Sequence, residues 1–233
     1  MKKINKTSQL INKIYDDYVK KFSLGNLKSI GSENYEIKYL RYSLILNEIN
    51  YQKKRKKKLK ILDVGCGLGD FYKFLLKNNY TKNFNYFGTE INEIFLQECK
   101  KRFKNPKKFY YSDILNIEPR EKYDWIIFSG TFYHIPKNFS SKLFFDHITK
   151  VLSKAWRFVD TGLIINFINE DVDYRVDKLF YPNYSKLTKF FNSLTRFKKK
   201  ISNYPMYEST YILYKKDFIS KQFNKKEFKR YLK

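Results

Sequence analysis

Three glycines at alternate positions, Gly65, Gly67 and Gly69, follow the acid Asp63 in the run Ile-Leu-Asp-Val-Gly-Cys-Gly-Leu-Gly-Asp over residues 61–70. Glycines so spaced permit a tight turn with no Cβ atom between backbone and ligand. The spacing Gly-x-Gly-x-Gly differs from the Gly-x-Gly-x-x-Gly that seats a dinucleotide pyrophosphate. Asp63 also argues against a pyrophosphate, because like charges repel, and it suits a ligand that carries positive charge. Further along, Glu90 ends a second strand-like run, where a carboxylate can accept hydrogen bonds from both hydroxyls of a ribose. Asp113 follows in Tyr-Tyr-Ser-Asp-Ile-Leu, and Ser129-Gly130-Thr131-Phe132 leads into Tyr133 and His134. His134 is the best candidate for a general base, since imidazole titrates near neutrality. The other histidine, His147, falls within a helical stretch.

These residues need elements to hold them. Ile61, Leu62 and Val64 suit a buried parallel strand over 60–64. The spacing of Phe71, Phe74 and Leu75 predicts a helix over 69–79, capped by Asp70. Phe84–Thr89 reads as the second strand, and Asn92 caps a helix that runs through Phe103 with Phe95, Leu96 and Cys99 inward. Lys107–Tyr111 and Trp125–Phe128 are the third and fourth strands; a helix over Ser140–Lys154 leads to a fifth, Thr161–Phe167. Strands alternating with helices argue for a parallel sheet. After a helix near Tyr184–Ser193, the runs Arg196–Ser202 and Tyr207–Tyr214 lie close enough to be a hairpin, so the sheet finishes antiparallel. Residues 5–50 read as helical with a break at Gly25–Gly31. One face carries Leu10, Ile11, Ile14, Tyr15 and Tyr18, and another carries Tyr39, Leu40, Tyr42, Ile45 and Leu46.

Composition narrows the classes. A chain of 233 residues can form one α/β domain with a sizeable core. No run approaches the ~18 apolar residues of a membrane span, and no leading apolar run resembles a signal peptide, so a cytoplasmic protein is the expectation. Cys66 and Cys99 have no second Cys or His at ligand spacing, which points away from a metal site and from a disulfide framework. The net charge of +25 suits a polyanionic partner, yet eight of the 48 basic residues are arginine, the residue favoured for bidentate phosphate and base contacts. The run Lys53–Lys60 therefore reads first as a solvated linker and second as a polyanion contact.

Asp63 beside the glycine turn, Glu90 and Asp113 together resemble the successive motifs of the class I S-adenosylmethionine-dependent methyltransferases. Arg41-Tyr42, Ser129-Gly130-Thr131-Phe132, Asn166-Phe167, Leu179-Phe180-Tyr181 and Tyr204-Pro205-Met206-Tyr207-Glu208 resemble a bacterial subgroup that ends in a YPLYE-like hairpin. The resemblance implies a Rossmann-like α/β three-layer sandwich whose mostly parallel seven-stranded sheet has one antiparallel strand. It implies a helical N-terminal extension with a basic linker (1–58), a cofactor-binding domain (59–215) and a basic tail (216–233). It further implies S-adenosylmethionine as cofactor, seated by Asp63, Gly65, Cys66, Gly67, Gly69 and Asp70. Glu90 would take the ribose, with Ile91 on the adenine face. Asp113 would accept from the adenine amine, flanked by Ser112 and Ile114, while Ser129 and Gly130 would lie along the methionine part. Tyr133, Asn166 and Tyr207 would orient the acceptor. The chain departs from the subgroup at Tyr133-His134, where an Asn is usual. It lacks the Asn/Asp-Pro-Pro-Tyr/Phe with which adenine-N6 and glutamine-type N-methyltransferases cradle a planar amine, and the Pro-Cys nucleophile of cytosine-C5 enzymes. A small-molecule or glycan acceptor, methylated at oxygen, ranks first. RNA gripped by the lysine-rich surface and a non-catalytic partner protein are the alternatives.

Overall fold

In the computed structural model, which describes residues 4–32, 34–51, 58–118 and 122–232, seven strands form one sheet flanked by helices. The strands are β1 (Leu59–Val64), β2 (Phe84–Glu90), β3 (Phe109–Tyr111), β4 (Tyr123–Phe128), β5 (Val159–Ile168), β6 (Lys198–Ile201) and β7 (Glu208–Tyr214). Their order is β3-β2-β1-β4-β5-β7-β6; β7 pairs antiparallel with both neighbours, and every other pairing is parallel. The expected mostly parallel sheet with one antiparallel strand is thus observed. Most of Lys53–Lys60 lies outside the described residues.

Strand alternation sends side chains to two cores. Leu62, Val64, Ile126, Phe128, Leu163 and Ile165 face α5 (Ser141–Trp156) and α6 (Tyr184–Leu194). Ile61, Trp125, Ile127, Ile164 and Ile212 face α2 (Tyr35–Tyr51), α3 (Asp70–Lys77) and α4 (Glu93–Arg102). The helix starts follow from local chemistry. Asn92, Ser140 and Asn183 each accept a backbone N–H of the first turn, which would otherwise be unpaired. α3 differs: Gly69, in the left-handed region, sits at its N-cap, and Asp70 is the first helical residue, where it pairs with Lys38 instead of capping. The third strand is also shorter than expected, because Pro106–Lys108 form a 3₁₀ turn.

The N-terminal extension is α1 (Lys6–Phe22), a 3₁₀ turn over Leu27–Ile30, and α2. Ile11 packs on the α5–α6 core, while Leu10, 39% exposed, falls off the buried face. α2 is tied to the far end of the chain. Its buried Glu48 accepts from Lys199 Nζ at 2.9 Å and from the Tyr214 hydroxyl. The last α-helix, α7 (Lys216–Gln222), buries Phe218 against Tyr214, and a 3₁₀ turn over Lys226–Tyr231 follows.

Candidate active site

β1 runs out at Val64 and the chain turns through Gly65, Gly67 and Gly69, with φ of 72°, 55° and 74°. L side chains rarely adopt that region. A Cβ on Gly65 would also stand 2.9 Å from Thr131 Cγ2, whereas a Cβ on Gly67 would meet Ile30 at 3.9 Å, so the space above Gly67 is open. Gly65 and Cys66 donate their N–H groups to the Thr89 carbonyl at 2.8 and 3.0 Å, and Gly67 N–H donates to Glu90 Oε2 at 2.8 Å. The turn is pinned to the end of β2, and Glu90 is pinned to the turn.

Glu90 accepts two further N–H groups on Oε1, from Ile91 at 2.7 Å and Asn92 at 2.9 Å. Burial raises its pKa, and the three backbone donors oppose that by favouring the carboxylate. Asp63 lies behind the turn, 3% exposed, and accepts from the Tyr86 hydroxyl at 2.8 Å. Desolvation pushes its pKa up to about 7 against that hydrogen bond, with the Glu90 charge adding to the rise and Lys38 lowering it. Asp113 is buried at the end of β3. Its Oδ1 accepts from Leu115 N–H at 3.0 Å and its Oδ2 from Asn5 N–H at 3.2 Å, so the start of α1 sits on it.

The turn opens into a cleft with a cavity volume of about 140 Å³. Its floor is Gly65, Cys66, Gly67, Asp70, Glu90 and Ile91. One wall is the segment after β4: Ser129, Gly130, Thr131, Tyr133 and His134. The opposite side belongs to the N-terminal extension, through Ile11 and Tyr15 of α1, Ile30 to Ser32, and Lys38, Arg41 and Tyr42 of α2, with Phe95 of α4 completing it. Asp63, Ser112, Asp113 and Ile114 are buried but do not line the cleft, and neither does Gly69, which lies at the helix start.

Two clusters were not evident as such from residue spacing. Lys38 forms a buried ion pair with Asp70. Arg41 forks Glu208, Nε to Oε1 at 2.7 Å and Nη2 to Oε2 at 2.6 Å, and the Tyr133 hydroxyl donates to the same carboxylate. The Arg41 guanidinium also lies 5.2 Å from the Tyr133 ring centre. Thr131, which closes the turn by donating to the Val64 carbonyl at 2.8 Å, is a further lining residue.

The proposed acceptor residues separate. Tyr133 is on the wall. Asn166 is fully buried in β5 and donates to Thr210 Oγ1 at 2.7 Å, so it does not reach the cleft surface. Tyr207 is 56% exposed and packs edge-on to Tyr174, outside the cleft. His134 is on the wall but buried between Tyr15 and Tyr18, with Gly31 so close that a Cβ there would stand 2.3 Å from its ring. Burial lowers its pKa to about 4. The imidazole is neutral at pH 7 and a feeble proton acceptor, so a strong general base at this position is not what the structure provides.

Residues 61–155 match the family model described as a methyltransferase domain. Over 137 residues the chain is 30% identical to an uncharacterized protein of Methanocaldococcus jannaschii, an alignment that takes in 56% of this chain; the chain spans about a third (34%) of that relative's length. It is similar to magnesium protoporphyrin IX methyltransferase from Synechocystis PCC 6803 with bound SAH, with a TM-score of 0.60, 14% identity, and coverage of 88% of this chain and 99% of that one. It is similar as well to Burkholderia thailandensis 1,6-didemethyltoxoflavin-N1-methyltransferase, solved with 1,6-didemethyltoxoflavin and S-adenosylhomocysteine, with a TM-score of 0.61, 12% identity, and coverage of 91% and 92%. The architecture is therefore the Rossmann-like fold of class I methyltransferases.

Proposed function

We propose that this chain is an S-adenosylmethionine-dependent methyltransferase acting on an oxygen of a small-molecule acceptor. The observation that carries the proposal is the Gly67–Glu90 hydrogen bond, which fixes a carboxylate against an unobstructed glycine turn at the floor of the cleft. The residues present fit the cofactor. Lys38 and Arg41 also line the cleft but are paired with Asp70 and Glu208, so among the described residues Glu90 is the lining carboxylate without an ion pair and is the one placed to meet a ligand. The Ser129 hydroxyl, on the cleft wall after β4, is buried with no hydrogen-bond partner among the described residues. Such a group calls for a polar occupant.

When bound, the cofactor supplies an electrophilic methyl group. Glu90 would hold the ribose hydroxyls, and Ile91 would offer an apolar face to the base. Asp113 can serve the adenine amine once Asn5 N–H gives way. The protein's work is otherwise alignment and exclusion of water by the aromatic walls. With the cleft's histidine too weak a base, the acceptor most compatible with these walls brings an oxygen already ionised near neutrality, a carboxylate or an acidic hydroxyl, which needs no proton removed.

Calorimetric titration with S-adenosylmethionine and S-adenosylhomocysteine tests the proposal. Saturable one-to-one binding is expected, and Glu90→Ala should weaken it at least tenfold. Equal affinity in that variant would overturn the site assignment.

A further inference from the structure

The C-terminal segment from Lys215 onward carries seven basic residues and two acids, Asp217 and Glu227, among its described residues. Phe218 is taken into the core, but the three aromatics that follow are not: Phe223 is 48% exposed, Phe228 40% and Tyr231 57%. They rim one surface groove together with Phe197, Ile219 and Leu232. Large rings left this exposed next to one another form an apolar patch of the kind that marks an interaction site. Around them Lys216, Lys221, Lys225, Lys226 and Lys229 are exposed, and Lys198 stands on the groove itself. Among the described residues, Lys221, Lys225, Lys226 and Lys229 form no ion pair.

We propose that this face docks on an anionic lipid bilayer. An apolar patch set in lysines matches both layers of such a surface, the acyl boundary for the rings and the headgroups for the ammonium groups. Lysine stems reach along apolar surface while their charged ends stay in the polar layer. Single-stranded nucleic acid, the other polyanion, needs open ring faces for its bases. Here one side of Tyr231, of Phe197 and of one ring of the Phe223–Phe228 pair is already covered. Arg230 lies 4.6 Å from the Tyr231 ring centre, Arg196 lies 4.8 Å from that of Phe197, and Phe223 meets Phe228 edge to face at 5.7 Å. The groove adjoins the first residue of β6 and the last of β7, hence the end of the sheet opposite the glycine turn. Docking there leaves the cleft open to solutes.

Sedimentation with vesicles tests this independently of methyl transfer. The full chain is spun with vesicles of phosphatidylcholine alone, or with about a third phosphatidylglycerol. Binding to the anionic vesicles and not to the neutral ones is expected, and 0.5 M salt should reduce it. The combined variant Phe223→Ser, Phe228→Ser, Tyr231→Ser should lower partitioning at least tenfold. Should that variant fail to fold, Lys225→Glu, Lys226→Glu, Lys229→Glu, all exposed, should lower it comparably with an unchanged circular dichroism spectrum. Equal sedimentation with both vesicle types, none with either, or anionic binding that survives the lysine reversal overturns the proposal. So does loss of vesicle binding on adding a single-stranded oligonucleotide that binds the same lysines more tightly.

Discussion

Glu90 has both carboxylate oxygens held by backbone N–H groups, so its orientation is set before any ligand arrives. Glu90→Gln should accordingly do more harm than its shape suggests. The amide keeps one acceptor oxygen and turns its NH₂ toward a backbone donor, leaving Gly67 or the Ile91–Asn92 pair unsatisfied. Loss of hydrogen bonds to a charged group costs about 1.5–3 kcal/mol, so calorimetry should find S-adenosylhomocysteine bound roughly 10- to 100-fold more weakly. Asp63 predicts a pH dependence. Its native pKa of about 7 lies above the ordinary 3.8, so ionising it disfavours the ligand-free fold. Stability should fall as pH rises from about 4 through 7. A cationic ligand reverses that preference, so affinity should tighten several-fold between pH 6 and 8, and Asp63→Asn should bind weakly and flatten the profile. A profile in the parent chain that is level over this range would remove Asp63 from the charge complementarity. Asp63 and Glu90 were legible in the sequence because their spacing from the glycine turn depends on local β-α-β geometry. The depressed His134 was not, since its pKa reflects burial by Tyr15 and Tyr18, more than a hundred residues away in the chain.

At the scale of elements, the β1–turn–α3 unit, β2 and the hairpin read correctly because each is specified by short-range periodicity and turn residues. How α2 meets the hairpin is different. Arg41 and Glu208 could each be recognised as parts of motifs, but their pairing spans 167 positions and follows only from the sheet order that sets β7 beside β5. Buried and bidentate, this pair fixes the wall bearing Tyr133. Removing one partner strands a charge, and Arg41→Ala or Glu208→Ala should each cost about 3–5 kcal/mol in urea unfolding. The double variant Arg41→Met, Glu208→Leu should recover much of that loss, because no uncompensated charge remains. Additive losses across the cycle would mean that the two side chains act independently. The same cycle read by calorimetry separates packing from binding: if the pair serves to position the wall, the double variant regains stability but not affinity.

The whole molecule carries a net charge of +25, while its cleft balances Asp70 and Glu90 against Lys38 and Arg41, and these two facts respond differently to salt. Surface lysines repel one another over distances that salt screens, with a Debye length of about 10 Å at 0.1 M falling to about 3 Å at 1 M. Raising salt from 0.05 to 0.5 M should therefore raise the melting temperature of the ligand-free chain. The buried contacts of Asp63 and Glu90 are poorly screened, so the affinity for S-adenosylhomocysteine should change little over the same range. At a ligand concentration of about 100 times Kd, binding adds about 2.7 kcal/mol. A chain of this size gains about 2–4 °C per kcal/mol, so the ligand should raise the melting temperature by roughly 5–10 °C at either salt concentration. A ligand shift that collapses in 0.5 M salt would place the binding energy on the exposed lysines instead of the strand-end acids, and the cleft would lose its claim to the cofactor.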